Sequence, residues 1–311
     1  MKTAGFALIV LLQAASARAA VFYVTVAGLV GEPDYEQRVT APAKDLDKVL
    51  KQYGAGGPGP SVYTLTGSDA TRARLTQVLE LVARAAKADD DFVLTLIGHG
   101  SFDGVEYKFN LIGPDISATE LAALCNRIAA RRQLIVNATS ASGGSIPALQ
   151  RAGRAVISST KSGTEKNATV FARYWVEALQ DPSADVDKNE SVSALEAFQY
   201  ADRKTAEFYT SQKRLATEHP VFEDTGKGEA VRAPAEGEGR FLASLTLVRF
   251  GDAQRAALDP AKRGLLAQKE DLERRIDVLK YQKAAMTQRD YEQQLKALLV
   301  ELARVQATLD K

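Results

Sequence analysis

Short apolar, β-rich runs alternate with helical patterns along most of this chain, and no other feature limits its fold as strongly. Val21-Phe22-Tyr23-Val24-Thr25-Val26-Ala27-Gly28-Leu29 reads as a buried strand. A helix follows around Ala43–Tyr53, with Leu46, Val49 and Leu50 on one face. Residues 54–60 are a Gly/Pro-rich loop, and Val62-Tyr63-Thr64-Leu65 is a second strand. Asp69 is placed to cap a helix running to about Lys87, with Leu75, Val78, Leu79 and Val82 as its stripe. The third strand, Phe92-Val93-Leu94-Thr95-Leu96-Ile97, runs into Gly98-His99-Gly100. Ser117 and Glu120 form a capping box for a helix reaching about Arg132. Leu134-Ile135-Val136 and Ala155-Val156-Ile157-Ser158 are the fourth and fifth strands. Helices near Asn167–Leu179 and Ser193–Ser211 and a late strand over Phe241–Val248 complete the pattern.

Such alternation predicts a three-layer α/β/α sandwich around a mostly parallel sheet. Ligand sites in sheets of this kind form at the carboxyl ends of strands. His99 and Ser140 each fall just past such an end. From Asp259 the pattern changes. Asp259-Pro260 reads as a cap and first-turn proline, and Leu265, Leu272, Ile276 and Leu279 follow at helical spacings. Thr287 and Asp290 open a second stretch, in which Leu295, Leu298, Leu302, Val305 and Leu309 repeat the stripe. The expectation is a C-terminal helical hairpin or short coiled coil over 259–311, behind an α/β domain over 21–252. The hairpin would pack on that domain, self-associate or bind a partner helix.

Residues 1–20 read as an export signal. Lys2 is the positive start, residues 5–12 are the apolar core, and Ala17-Arg18-Ala19 is a small-x-small cleavage site. The core is too short to span a bilayer, and no later segment is apolar enough. The expected location is periplasmic or secreted, with cleavage after Ala19 or Ala20. Cys125 is the only cysteine, so no internal disulfide can form. It lies on an apolar helix face, where a thiol acts as a small hydrophobe. Lysine plus arginine number 40 against 39 acidic residues, with no basic stripe, which argues against a nucleic-acid partner.

The order strand, Gly-His-Gly, helix, strand, small-residue turn resembles the cysteine-peptidase clan of caspases, legumain and gingipains, and is closest to bacterial relatives of legumain. Leu96-Ile97-Gly98-His99-Gly100 matches the clan's histidine motif, and Thr139-Ser140-Ala141-Ser142-Gly143 its nucleophile turn. The likeness covers roughly residues 21–250. It implies a caspase-like fold, His99 as base, and Ser140 at the nucleophile position. Gly100 and Ser140 would supply oxyanion-hole N–H groups, with Thr139, Ser142 and Gly143 supporting the turn. The departure is serine where the clan carries cysteine. A thiol ionises near neutral pH beside a histidine, whereas a hydroxyl needs a base oriented by a third group. Asp103 and Asp115 are the candidates near His99. The expectation is a silent, peptide- or protein-binding member of the clan. The alternative is a working peptidase with Ser140 as nucleophile.

A second pattern spans 185–196. Asp185, Asp187, Asn189, Ser191, Ser193 and Glu196 place oxygens at the first, third, fifth, seventh, ninth and twelfth positions of an EF-hand-like loop, with Val192 at the apolar eighth. That spacing suggests calcium. Glu190 stands where glycine makes the sharp turn, and would have to adopt a left-handed conformation at some cost. Asp224–Glu229 starts similarly but offers too few ligands, and reads as a solvated turn.

Overall fold

Strands β1 (Val21–Ala27) and β3 (Asp91–Gly98) are buried at every position, as strands covered on both faces must be. The computed structural model describes residues 19–29, 33–55, 61–234, 237–283 and 286–311, without the side chains of 33–36 and 281. Most of the export signal, and residues 56–60 of the first loop, lie outside these.

In chain order, β1 is followed by α1 (Pro33–Tyr53), β2 (Ser61–Leu65), α2 (Arg72–Ala85) and β3. A small antiparallel unit of β4 (Gly100–Phe102), β5 (Tyr107–Phe109) and β6 (Ile116–Ser117) comes next. Then come α3 (Ala118–Asn126), β7 (Arg132–Thr139), α4 (Ile146–Leu149), β8 (Arg154–Ser158) and α5 (Phe171–Ala178). The chain continues with β9 (Ser191–Ser193), α6 (Ala194–Ser211), β10 (Val221–Glu223), α7 (Arg240–Ala243) and β11 (Thr246–Arg249). It ends in α8 (Gly251–Leu258), α9 (Arg263–Gln282) and α10 (Gln288–Leu309).

The main sheet has the order β10-β8-β7-β3-β1-β2. Only β10 is antiparallel, against β8. One face packs on α1, α5 and α6, through Leu46, Trp175 and Phe198 among others. The other packs on α2 and α3, through Leu75, Val82 and Leu121. This is the α/β sandwich that the alternation implies. No described helix is long and apolar enough to cross a membrane.

Several boundaries differ from the sequence reading. Helix α1 begins ten residues before Ala43 and carries Pro42 inside it; Val39 and Ala43 extend the buried stripe and hold the extra turns on the sheet. Thr71, not Asp69, caps α2, its hydroxyl accepting from Arg74 N–H at 3.2 Å. Helix α3 stops at Asn126, because the chain must enter β7 at Arg132, whose guanidinium pairs with Asp91 on the next strand. Helix α5 starts at Phe171. The preceding Thr169 hydroxyl instead donates to Ala138 C=O at 3.0 Å. The late strand over Phe241–Val248 is in fact a turn of helix followed by β11. The Asp224 carboxylate accepts N–H groups of Gly239 and Phe241 at 3.1 Å and forces the turn. Asp259 ends α8 and accepts from Ala261 N–H at 2.8 Å, so α9 begins only at Arg263.

The C-terminal helices form their own apolar cluster, in which Ala253, Ala256 and Ala257 of α8 join Leu272, Ile276, Leu279, Leu298 and Val305. Thr287 caps α10 through Asp290 N–H at 3.2 Å. The C-terminal helices α8 and α9 are tied to the sandwich by polar links. Arg249 holds Glu270 at 2.6 Å, and Gln254 donates to Gln52 C=O at 2.7 Å.

Candidate functional site

Neighbouring parallel strands place the two motif residues side by side. β3 and β7 are in register with Gly98 opposite Thr139, so His99 and Ser140 are the next residues out at the same carboxyl edge. The main chain turns at Gly98, whose φ of 132° lies outside the range that other residues adopt readily. The His99 carbonyl accepts Asn110 N–H at 3.1 Å, which ties the motif to the β4–β6 unit. Burial pushes the His99 pKa below the ordinary histidine value, which favours the uncharged ring.

Ser140 is 1% exposed. Its Oγ donates to the Gly100 carbonyl at 3.0 Å and accepts from the Gly100 N–H at 3.1 Å. One backbone residue therefore takes the hydroxyl's proton and one of its two lone pairs. Gly100 in turn directs its N–H at Ser140 Oγ. It can approach this closely only without a side chain: a Cβ there would stand 2.4 Å from Tyr107 Cε2 and 2.7 Å from the Ser140 carbonyl.

The next residue, Ala141, is fully buried with φ 57°, a left-handed conformation that alanine adopts at a cost. Its N–H donates to Glu165 C=O at 2.7 Å. Beyond it, the residues expected to support the turn lie in a buried hydroxyl layer. Thr139 Oγ1 meets Tyr107 Oη at 2.6 Å and Asn137 Oδ1 at 2.8 Å. Ser142 Oγ lies 2.8 Å from Ser158 Oγ and 3.1 Å from both Ser159 Oγ and Thr160 Oγ1. Gly143 N–H donates to Thr160 Oγ1 at 2.9 Å. Sequence reasoning missed Tyr107, Asn137 and the Ser158–Thr160 run. The position of that run at the end of the fifth strand was the available signal.

Asp103 accepts N–H groups of Val105 and Glu106 within its own turn. Asp115 accepts from Asn110 Nδ2 at 3.0 Å and Leu111 N–H at 3.1 Å. Both carboxylates hold loops rather than a catalytic hydroxyl. Cys125 is fully buried, and desolvation pushes its thiol up to about 11, so it offers no thiolate.

Behind the turn stands an acidic pair, Glu165 and Glu218, to which sequence reasoning assigned no role. Glu165 Oε1 lies 2.5 Å from His219 Nδ1, and the same residue's carbonyl holds Ala141. Glu218 is 2% exposed and accepts from Val170 N–H at 2.7 Å and Tyr209 Oη at 3.0 Å. Its burial raises the carboxyl to about 7.

In the second candidate loop, carboxylate oxygens of Asp185, Asp187 and Glu196 lie within 4.8 Å of one another. Burial and the Glu196 charge raise Asp187 to about 6. Asn189 Oδ1 is turned to Ser191 N–H at 2.8 Å, and Ser193 Oγ lies 2.8 Å from Glu196 Oε2. The triad has the hard oxygen donors that calcium takes, while Asn189, Ser191 and Ser193 serve the loop's own hydrogen bonds. Glu190 has φ 66°. Its carboxylate accepts Ala253 N–H at 2.8 Å, which gives this position a side-chain role at the start of α8 that glycine could not fill.

No family model and no curated protein matches the sequence. Among solved structures, the chain is similar to a structural-genomics target protein from Geobacter sulfurreducens, at 16% identity and a TM-score of 0.47, over 72% of this chain and 96% of that one. It is also similar to caspase-1 from Spodoptera frugiperda, at 12% identity and a TM-score of 0.47, over 67% of this chain and 87% of that one.

Proposed function

We propose that this chain is an exported, catalytically silent relative of the caspase/legumain-type peptidases, from the legumain-related branch. Its Ser140 has replaced the nucleophilic cysteine, and it binds a peptide or protein at the His99–Ser140 edge. The observation that carries the reading is the pair of hydrogen bonds between Ser140 Oγ and the Gly100 backbone. A nucleophile must offer its proton to a base and its lone pair to a carbonyl carbon. Here the proton is directed at Gly100 C=O and the oxygen accepts Gly100 N–H. The N–H that the resemblance assigns to an oxyanion hole is thus occupied by the hydroxyl itself. A peptidase of this clan would direct that proton at the His99 ring, whereas here Ser140 Oγ donates to Gly100 C=O.

The test is turnover of a peptide-substrate library alongside labelling by a serine-reactive phosphonate probe. The wild type should neither turn over substrate nor be labelled. Hydrolysis or labelling that disappears in Ser140→Ala would make the chain a serine peptidase instead. We further propose calcium at Asp185, Asp187 and Glu196, as a structural ion beside the hairpin. The C-terminal hairpin is the second surface available to a partner.

A further inference from the structure

Asp90 precedes β3 and is 5% exposed. Its two oxygens accept main-chain N–H groups, Oδ1 from Ala20 at 2.6 Å and Oδ2 from Lys87 at 2.7 Å. Among the described residues, no lysine, arginine or histidine side chain pairs with it. The next residue, Asp91, is neutralised by Arg132. A buried carboxylate with no paired cation can take a charged donor in place of a neutral one.

Sheet register determines which backbone nitrogen reaches it. Ala20 C=O accepts Asp91 N–H at 2.9 Å, and Val21 stands opposite Asp91 at the start of the β1–β3 ladder. The nitrogen of residue 20 is thereby held on Asp90. The nitrogen of residue 21 belongs to a strand buried on both faces.

We propose that the export peptidase hydrolyses the Ala19–Ala20 bond, and that the resulting Ala20 ammonium forms a half-buried ion pair with Asp90. This rests on the export reading and is independent of the state of Ser140. Hydrolysis takes up one water, leaves a carboxylate on Ala19 and frees the amine of Ala20, which is protonated at neutral pH. The neutral amide of the precursor then becomes a charge-assisted donor in the same place. The small-x-small rule agrees, because cleavage after Ala19 puts Ala17 three residues before the bond. Cleavage after Ala20 would put Arg18 there. The mature form thus gains an interaction that the precursor lacks, so the fold is stabilised by the processing step.

Two measurements test this. Intact-mass analysis of protein exported from the full-length chain should give Ala20 as the first residue. A first residue of Val21 would overturn the inference and leave export standing; Met1 would overturn both. Separately, urea unfolding of the chain starting at Ala20 is compared with the same chain acetylated at its amine. Acetylation removes the charge and keeps one N–H, restoring the amide that the precursor has at this position. Acetylation should lower the folding equilibrium constant about tenfold, and Asp90→Asn should shrink that difference to near unity. Equal stability of the free and acetylated chains would overturn the ion pair.

Discussion

Replacing Ser140 by alanine distinguishes a structural hydroxyl from a nucleophile through stability rather than rate. Ser140 is 1% exposed, and its oxygen makes two hydrogen bonds to Gly100, at 3.0 and 3.1 Å. Each such bond contributes about 1 kcal/mol net, and a donor left unpaired adds to the loss. Ser140→Ala should therefore destabilise the α/β domain by about 2 kcal/mol. With a urea slope of about 3 kcal/mol per molar, the midpoint falls by roughly 0.7 M while the slope stays constant. Fluorescence of Trp175, the only tryptophan, reads this directly, since that side chain is 1% exposed in the α/β core and the hairpin has no tryptophan. A nucleophile held in a strained, functional geometry commonly gives a neutral or stabilised variant when truncated. A Ser140→Ala midpoint equal to or above that of the wild type would refute the argument that Gly100 holds the hydroxyl.

Glu218 should make stability depend on pH. Its carboxyl is raised from 4.5 to about 7, so the folded state holds this proton more tightly than the unfolded state. Stability should be greatest below about pH 4.5 for this group and fall by about 3 kcal/mol as pH rises to 7. Glu218→Gln should flatten that part of the profile in urea titrations. Calcium should raise the thermal midpoint through binding linkage, more at pH 7.5 than at 5.5 because Asp187 must first ionise. Asp185→Ala should abolish the increase, and an unchanged wild-type midpoint at millimolar calcium would disprove the site. Leu298→Asp places a charge in the separate C-terminal cluster. It should reduce helical circular dichroism while the Trp175 transition stays within about 0.5 kcal/mol of wild type; loss of both signals together would make the hairpin part of the main core.

Local pattern was enough for the parts of this protein whose physics is local. Continuous apolar runs such as Phe92–Ile97 can be buried on both faces only in a covered parallel sheet, and the capping box of Ser117 and Glu120 announces its own helix. The same holds for the paired stripes of the hairpin and for the meeting of His99 and Ser140 at one sheet edge. The left-handed turn at Glu190 also followed from spacing alone. What the sequence could not supply were contacts between residues far apart in the chain. Asp224 turns Phe241–Ala243 into helix from 17 residues away, and Arg132 starts a strand early because Asp91 faces it. The state of the site is the sharpest case. A serine at the end of the fourth strand can be read from the sequence, but the hydroxyl's partners depend on a side-chain-free Gly100 pressed between Tyr107 and Ser140. Hydrogen bonds are directional and short, so the choice between backbone and base depends on distances of a few tenths of an ångström. Only the packed tertiary structure sets those distances.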